Sequence, residues 1–356
     1  MRNSLKFIIS LLIGAAFFYW FAHSLDWREV WQQNKEADLL LLFAATLVTI
    51  STYVIRSLRW KSFLAPIRET RFNNLFAATV IGFSGVFLIG RAGEIVRPVV
   101  CTMRERVPPS ATFATIAIER VYDMVMVVIF FAVNMLFFNP GSSASLRDFQ
   151  QVNEIGILLL LMAIAGILAL IIFRLFSSSV ISLMERRLTW LPKRLQNLII
   201  NMVTNLSVGL SVLQNLRGLS VTVGWSIALW ICIVLVEYLI INAFSPNVPI
   251  GLTEAVFVMA FGLVGSLVPT PAGAAGAFHT AASLGLVMLG VEQNKAGSIA
   301  IAMHLITFGS AILLGVFYVI RDGISFGALK AMIKEDISPA SSIRPTSVRP
   351  TSDVGR

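Results

Sequence analysis

The sequence predicts an all-α polytopic membrane protein with about six full spans and two re-entrant helical hairpins arranged as an inverted repeat, and three observations lead there. First, 56% of the 356 residues are hydrophobic and only 13% charged, with mean hydropathy +0.80, too apolar for a soluble domain to cover its surface with polar groups. Second, apolar runs of roughly 20 residues, the length that crosses about 30 Å of hydrocarbon, recur from end to end. Third, Lys and Arg gather in short loops between those runs, as positive-inside topology requires. The net charge of +9 therefore does not point to nucleic acid.

Six runs read as full spans: 5–23, 38–58, 110–138, 153–175, 219–244 and 296–320. The first follows the basic stretch Met1–Lys6 in the manner of a signal peptide, but no A-x-A cleavage pattern precedes Asp26, so it is expected to remain as a helix. Segment 24–38 holds two basic and four acidic residues and is assigned to the outside. Segments 56–71 (five basic, one acidic) and 177–197 (four basic, one acidic) are assigned to the cytoplasm. Segment 91–106, with Arg91, Arg97, Arg104 and Arg106 against Glu94 and Glu105, is cytoplasmic on the same count.

The short run 75–90, carrying Gly82, Gly85 and Gly90, thus has cytoplasmic flanks on both sides and must enter the membrane and return. Residues 253–290, interrupted at Pro269-Thr270-Pro271, lie between a helix running outward and one running inward, so they enter and return from the outside. Two such elements on opposite faces are the arrangement in which many transporters build a midplane site from broken helices. Residues 1–325 are expected to form the transmembrane domain of a multi-pass protein of the cytoplasmic (inner) membrane, both termini cytoplasmic. Residues 326–356 form a tail, disordered from about 337, where Ser, Pro, Thr and Arg leave almost nothing to bury. Segment 198–216, apolar but interrupted by Asn201, Thr204, Asn205 and Gln214, fits an interfacial helix and a helix inside the bundle equally.

Ionisable groups inside apolar segments cost about 2.5–3.5 kcal/mol each on insertion scales, so the few present are informative. Arg56 and Arg59-Trp60 close the second span, either as snorkelling arginines with an interfacial Trp or as part of a site. Arg91-Ala92-Gly93-Glu94-Ile95-Val96-Arg97 reads as a loop or as a hairpin tip, where Gly93 permits a tight turn and Glu94 can pair with either arginine. Guanidinium forks there suit bidentate capture of a lipid phosphate. Glu119, Arg120 and Asp123 lie well inside a span, with Glu119 and Asp123 on one face at i, i+4. Two carboxylates beside one arginine leave excess negative charge, which predicts an approach by the Arg56/Arg59 or Arg91/Arg97 groups or a bound proton; a structural ion network is the alternative.

In the fourth set Pro269 and Pro271 break the helix, while Gly273 and its neighbouring alanines let backbones approach closely. The backbone groups so freed must face protein, water or ligand. His279 and His304 are read either as proton-exchanging groups or as hydrogen-bonded packing residues, and Glu237 stands as a lone intramembrane carboxylate. Cys101 and Cys232 match neither a disulfide framework nor a metal spacing. With no G-x-S-x-G, Walker loop, HExxH or Cys/His cluster, no catalytic residue, metal or cofactor is expected.

In order and spacing, Arg56-x-x-Arg59-Trp60, Arg91-x-Gly93-Glu94-x-x-Arg97, Glu119-Arg120-x-x-Asp123 and Pro269-Thr270-Pro271-x-Gly273 resemble the lysylphosphatidylglycerol synthase transmembrane-region family, over roughly residues 5–325. Its members include the flippase domain of bacterial aminoacyl-phosphatidylglycerol synthases and stand-alone membrane proteins of glycolipid, hopanoid or polyprenyl-lipid pathways, so the resemblance implies lipid translocation. On this reading the arginines bind an anionic or polyprenyl-linked headgroup, Glu94, Glu119 and Asp123 balance charge, and separately encoded lipid-modifying enzymes are candidate partners. The soluble aminoacyl-transfer domain of bifunctional members is not expected, since a tail occupies residues 337–356. Two departures stand out: Ile89-Gly90 replaces a proline that many relatives have before the Arg-x-Gly-Glu motif, and His279 follows one position after the place of an acidic residue. Readings from other classes are a membrane glycosyl- or acyl-transferase using these carboxylates on a lipid-linked donor, and an accessory scaffold.

Overall fold

The computed structural model describes residues 2–137, 176–190, 216–268 and 270–322, with scattered positions between 157 and 204 and, at Arg91 and Pro271 among others, the backbone alone. Every regular element among these residues is helical. The first six helices are α1 (Arg2–His23), α2 (Trp27–Glu36), α3 (Leu39–Leu64), α4 (Phe72–Ile89), α5 (Val96–Glu105) and α6 (Pro109–Phe137). Then come α7 (Ser177–Arg187), α8 (Leu216–Ala243), α9 (Leu252–Gly265), α10 (Pro271–Met288) and α11 (Gln293–Arg321). Three stretches, Leu39–Leu64, Gly218–Ala243 and Gln293–Arg321, are long and apolar enough to cross a membrane, at 26, 26 and 29 residues. α6 matches them in length, with Glu119, Arg120 and Asp123 inside it. The chain is a multi-pass helical membrane protein. The expected span 153–175, the undecided segment 198–216 and the tail fall wholly or mostly outside the described residues.

Carboxylates start several helices. Asp38 accepts from the backbone N–H groups of Leu40 (2.8 Å) and Leu41 (3.2 Å), satisfying donors that the first turn of α3 leaves free. Asp26 does the same for α2 and Glu292 for α11. The acidic segment is also pinned to the start of α11, because the Asp26 N–H donates to Asn294 Oδ1 (2.9 Å) and the Asn294 amide donates to Glu29 Oε2 (2.5 Å).

Two helical hairpins hold the middle of the fold. α4 ends at Gly90, whose φ of +63° reverses the chain into a 3-10 turn, Gly90–Ile95, from which α5 runs back along α4. A Cβ on Gly82 would lie 2.6 Å from Arg97 Cβ, and one on Gly85 would lie 3.0 Å from Val96 Cγ2. Gly93 therefore serves a purpose other than the one its sequence suggested. The reversal belongs to Gly90, whereas Gly93 lies against the carbonyl of Gly85, where no side chain fits. The second hairpin pairs α9 with α10, so that Gly265 lies against Ala277 and Ala281, and Gly262 against Phe278. Lipid is as apolar as a leucine side chain, so close approach through small residues, rather than expulsion of water, holds such helices together.

α11 packs between the hairpins, against α4 and α10 and also against α3. Ser84 Oγ donates to the Ala311 carbonyl (2.8 Å) and Tyr53 Oη to the Thr307 carbonyl (2.6 Å). α3 packs most extensively on α8, and α1 lies along α10 where Gly276 leaves room for the Phe18 backbone.

Candidate functional site

Residues from four helices meet in a buried ion cluster. Glu119 of α6 is fully buried, and one of its oxygens takes both Arg97 Nη1 of α5 (2.8 Å) and Arg59 Nη2 of α3 (3.1 Å). Arg59 Nη1 donates onward to Asp123 Oδ1 (2.7 Å) and to Ser226 Oγ of α8 (3.3 Å). The excess negative charge read from α6 alone is thus met by two arginines from elsewhere in the chain, leaving two cations against two carboxylates. Trp60 completes the cluster: its indole N–H donates to Thr115 Oγ1 (3.0 Å), and the Arg97 guanidinium lies 4.2 Å over its ring. Arg59 Nε, Arg97 Nε and Nη2, and Glu119 Oε2 are buried without a hydrogen-bond partner.

Arg56 and Arg120 part company with their neighbours. Arg56, one turn before Arg59, lies over Phe83 (5.1 Å) and makes no ion pair among the described residues. It lines a cavity of about 180 Å³ with Tyr53, Thr52, Glu237, His304 and Phe308. Arg120 is about half exposed and reaches Asp123 only at 3.9 Å. It lines a second cavity of about 240 Å³ with Glu94, Thr270 and Gly273, at the place where the tips of the two hairpins meet. Successive residues on a helix point about 100° apart, so Glu119 can face the cluster while Arg120 faces the cavity.

The Pro-Thr-Pro break takes an uncommon form. After Pro271, residues Ala272 (φ +55°), Gly273 (φ +61°) and Ala274 (φ +61°) are left-handed before α10 resumes as a regular helix. For the two alanines this conformation costs about 1–2 kcal/mol each. His304 Nε2 lies 3.3 Å from the carbonyl of Gly273, within the left-handed stretch. Phe308, one turn further along α11, covers Gly273 so closely that a Cβ there would lie 2.8 Å from its Cζ.

Of the residues expected at a site, Arg59, Arg97, Glu119 and Asp123 form the ion cluster, while Arg56, Glu94, Arg120 and Gly273 line the two cavities. Arg91 has only its backbone described, in the 3-10 turn, as does Pro271, and Pro269 lies outside the described residues. His279 lines neither cavity; it is buried between Phe21 (5.0 Å) and His304 (4.7 Å), with both ring nitrogens unpartnered. Of the two histidines, His304, on α11, is the one that faces the broken backbone. Sequence reading named Thr270 only as part of the Pro-Thr-Pro motif and did not single out Tyr53, Ser226 or Phe308. Hydroxyls and aromatic rings are common in membrane helices, and no spacing set these apart.

These features define a helical membrane protein with a buried ion cluster and two mainly apolar cavities, each holding one arginine. The family model described as the lysylphosphatidylglycerol synthase TM region matches residues 7–315, and the chain belongs to that family. No curated protein and no solved structure matches it.

Proposed function

We propose that this protein translocates an anionic phospholipid or a polyprenyl-linked lipid across the cytoplasmic membrane, holding the headgroup at Arg56. The observation that carries the proposal is the contrast between Arg56 and Arg59. Arg59 is consumed by two carboxylates, whereas Arg56 presents a cation without an ion-pair partner to a cavity among apolar helices. An unpaired intramembrane cation is costly and needs an anion or water to offset it. A phosphate-bearing headgroup supplies that anion and matches the guanidinium fork. Membership of a family named for lipid synthesis fits the same reading.

In this reading both hairpins are re-entrant, α4–α5 from the cytoplasm and α9–α10 from outside, in the manner of an inverted repeat. Both termini are cytoplasmic, in accord with the basic loops. Arg59, Arg97, Glu119 and Asp123 act as a brace that positions α3, α5 and α6 rather than as headgroup ligands.

The test is headgroup accessibility in proteoliposomes containing a fluorescent phosphatidylglycerol and an impermeant quencher. Protein-dependent redistribution that Arg56→Ala abolishes without lowering thermal stability supports the assignment. Redistribution unchanged in Arg56→Ala, or absent for both phosphatidylglycerol and a polyprenyl phosphate, overturns it.

A further inference from the structure

The two cavities share three wall residues, Leu263, Ser266 and Phe308. Each also contains one cation, Arg56 in the first and Arg120 in the second. The second holds a further unsatisfied donor: Thr270 is only 2% exposed, and its hydroxyl has no hydrogen-bond partner. A buried hydroxyl without a partner, in a cavity that also holds a guanidinium whose one ion pair is a long 3.9 Å contact to Asp123, matches the oxygens of a phosphate, since both groups donate.

Phe308 stands where the chambers adjoin. Its ring lies 5.7 Å from Phe87 in the last turn of α4 and covers Gly273 on the other hairpin, so it is wedged between the two tips. His304, 4.8 Å from the same ring, holds the Gly273 carbonyl on the Arg56 side. The backbone that Phe308 covers is the left-handed stretch 272–274, in which two alanines adopt a conformation their side chains disfavour.

We propose that the two cavities are successive stations for one phosphate-bearing headgroup, Arg56 in the first and Arg120 with Thr270 in the second, and that Phe308 is the partition between them. This deepens the lipid-translocation reading and rests on it for the identity of the ligand. The partition itself is testable without any lipid transport.

In a Cys101→Ala/Cys232→Ala background, Thr52→Cys reports the first chamber and Val268→Cys the second. The proteoliposomes are exposed, one side at a time, to a small sulfonate-bearing methanethiosulfonate reagent. The side that labels Val268→Cys should label Thr52→Cys slowly, and Phe308→Ala should speed that labelling by at least about tenfold. Phe83→Ala, which enlarges the first chamber alone, should not. Should Phe308→Ala fail to purify as a monodisperse protein, Phe308→Leu carries the same comparison. At Val268→Cys, the preference for the anionic reagent over its trimethylammonium counterpart should fall in Arg120→Gln and rise in Glu94→Gln.

Equal labelling of Thr52→Cys with and without Phe308, or equal gains from Phe308→Ala and Phe83→Ala, overturns the partition. An unchanged reagent preference in Arg120→Gln overturns the second station. Fluorescent phosphatidylglycerol redistribution, followed in the same vesicles, separates the two ideas. Connected chambers without redistribution leave the partition standing and remove the lipid reading; redistribution without connection does the reverse.

Discussion

Replacing Glu119 by Gln keeps the shape of the side chain but removes the charge shared by Arg59 and Arg97. The buried cluster then holds two guanidinium groups against Asp123 alone, a net positive charge among residues with almost no solvent contact. Removing one member of a buried ion pair costs about 3–5 kcal/mol, because the remaining charge stays buried without compensation. At about 2 °C per kcal/mol, the lower edge of the range for 150–250 residues, the thermal midpoint should fall by about 6–10 °C. Intrinsic tryptophan fluorescence of detergent-purified protein measures this, with Trp60 at the cluster as a local reporter. The double variant Glu119→Gln/Arg97→Met restores one-to-one charge and should recover part of the loss, with a coupling of about 1–3 kcal/mol. A fall below about 2 °C for Glu119→Gln, or a double variant no better than the sum of its singles, would show that the cluster does not brace these helices.

Three further outcomes follow from the packing and the polar sites. Gly93→Ala would drive a methyl group into the Gly85 carbonyl and should abolish folded yield by size-exclusion chromatography, whereas Gly309→Ala meets nothing within 4 Å. The latter should keep or raise the midpoint, since Ala is favoured over Gly inside a helix by about 0.8–1 kcal/mol. Asp38→Ala removes the cap of α3 and should cost about 1 kcal/mol, read as a midpoint shift of about 2 °C. Glu237 keeps one oxygen buried and unpartnered beside the Arg56 cavity, so Glu237→Leu should raise the midpoint while lowering lipid redistribution. A lower midpoint would show that Glu237 is structurally paired.

Much of the site could be read one motif at a time. Charge counting within α6 called for an arginine from elsewhere or a bound proton, and the structure brings in Arg59 and Arg97. The aim of each side chain within a motif was not readable. Arg56 and Arg59 are one turn apart, and Glu119 and Arg120 are adjacent, yet each pair divides between the cluster and a cavity. Helical periodicity sets the angle between neighbouring side chains, but which partner waits in each direction depends on helices distant in sequence.

By itself the sequence determined that the chain is a helical membrane protein, which residues carry its intramembrane charge, and where two helices break. Those properties follow from local chemistry: the length of apolar runs, the cost of burying a charge, and the missing N–H and fixed φ of proline. Tertiary structure decided that Gly90 makes the reversal while Gly93 makes room, that residues 272–274 turn left-handed, and that Phe308 stands between the hairpin tips. It also decided that His304 faces the broken backbone while His279 is packed away from both cavities. Each of these depends on how closely one backbone approaches another, and that distance is set by the packed bundle rather than by any one segment.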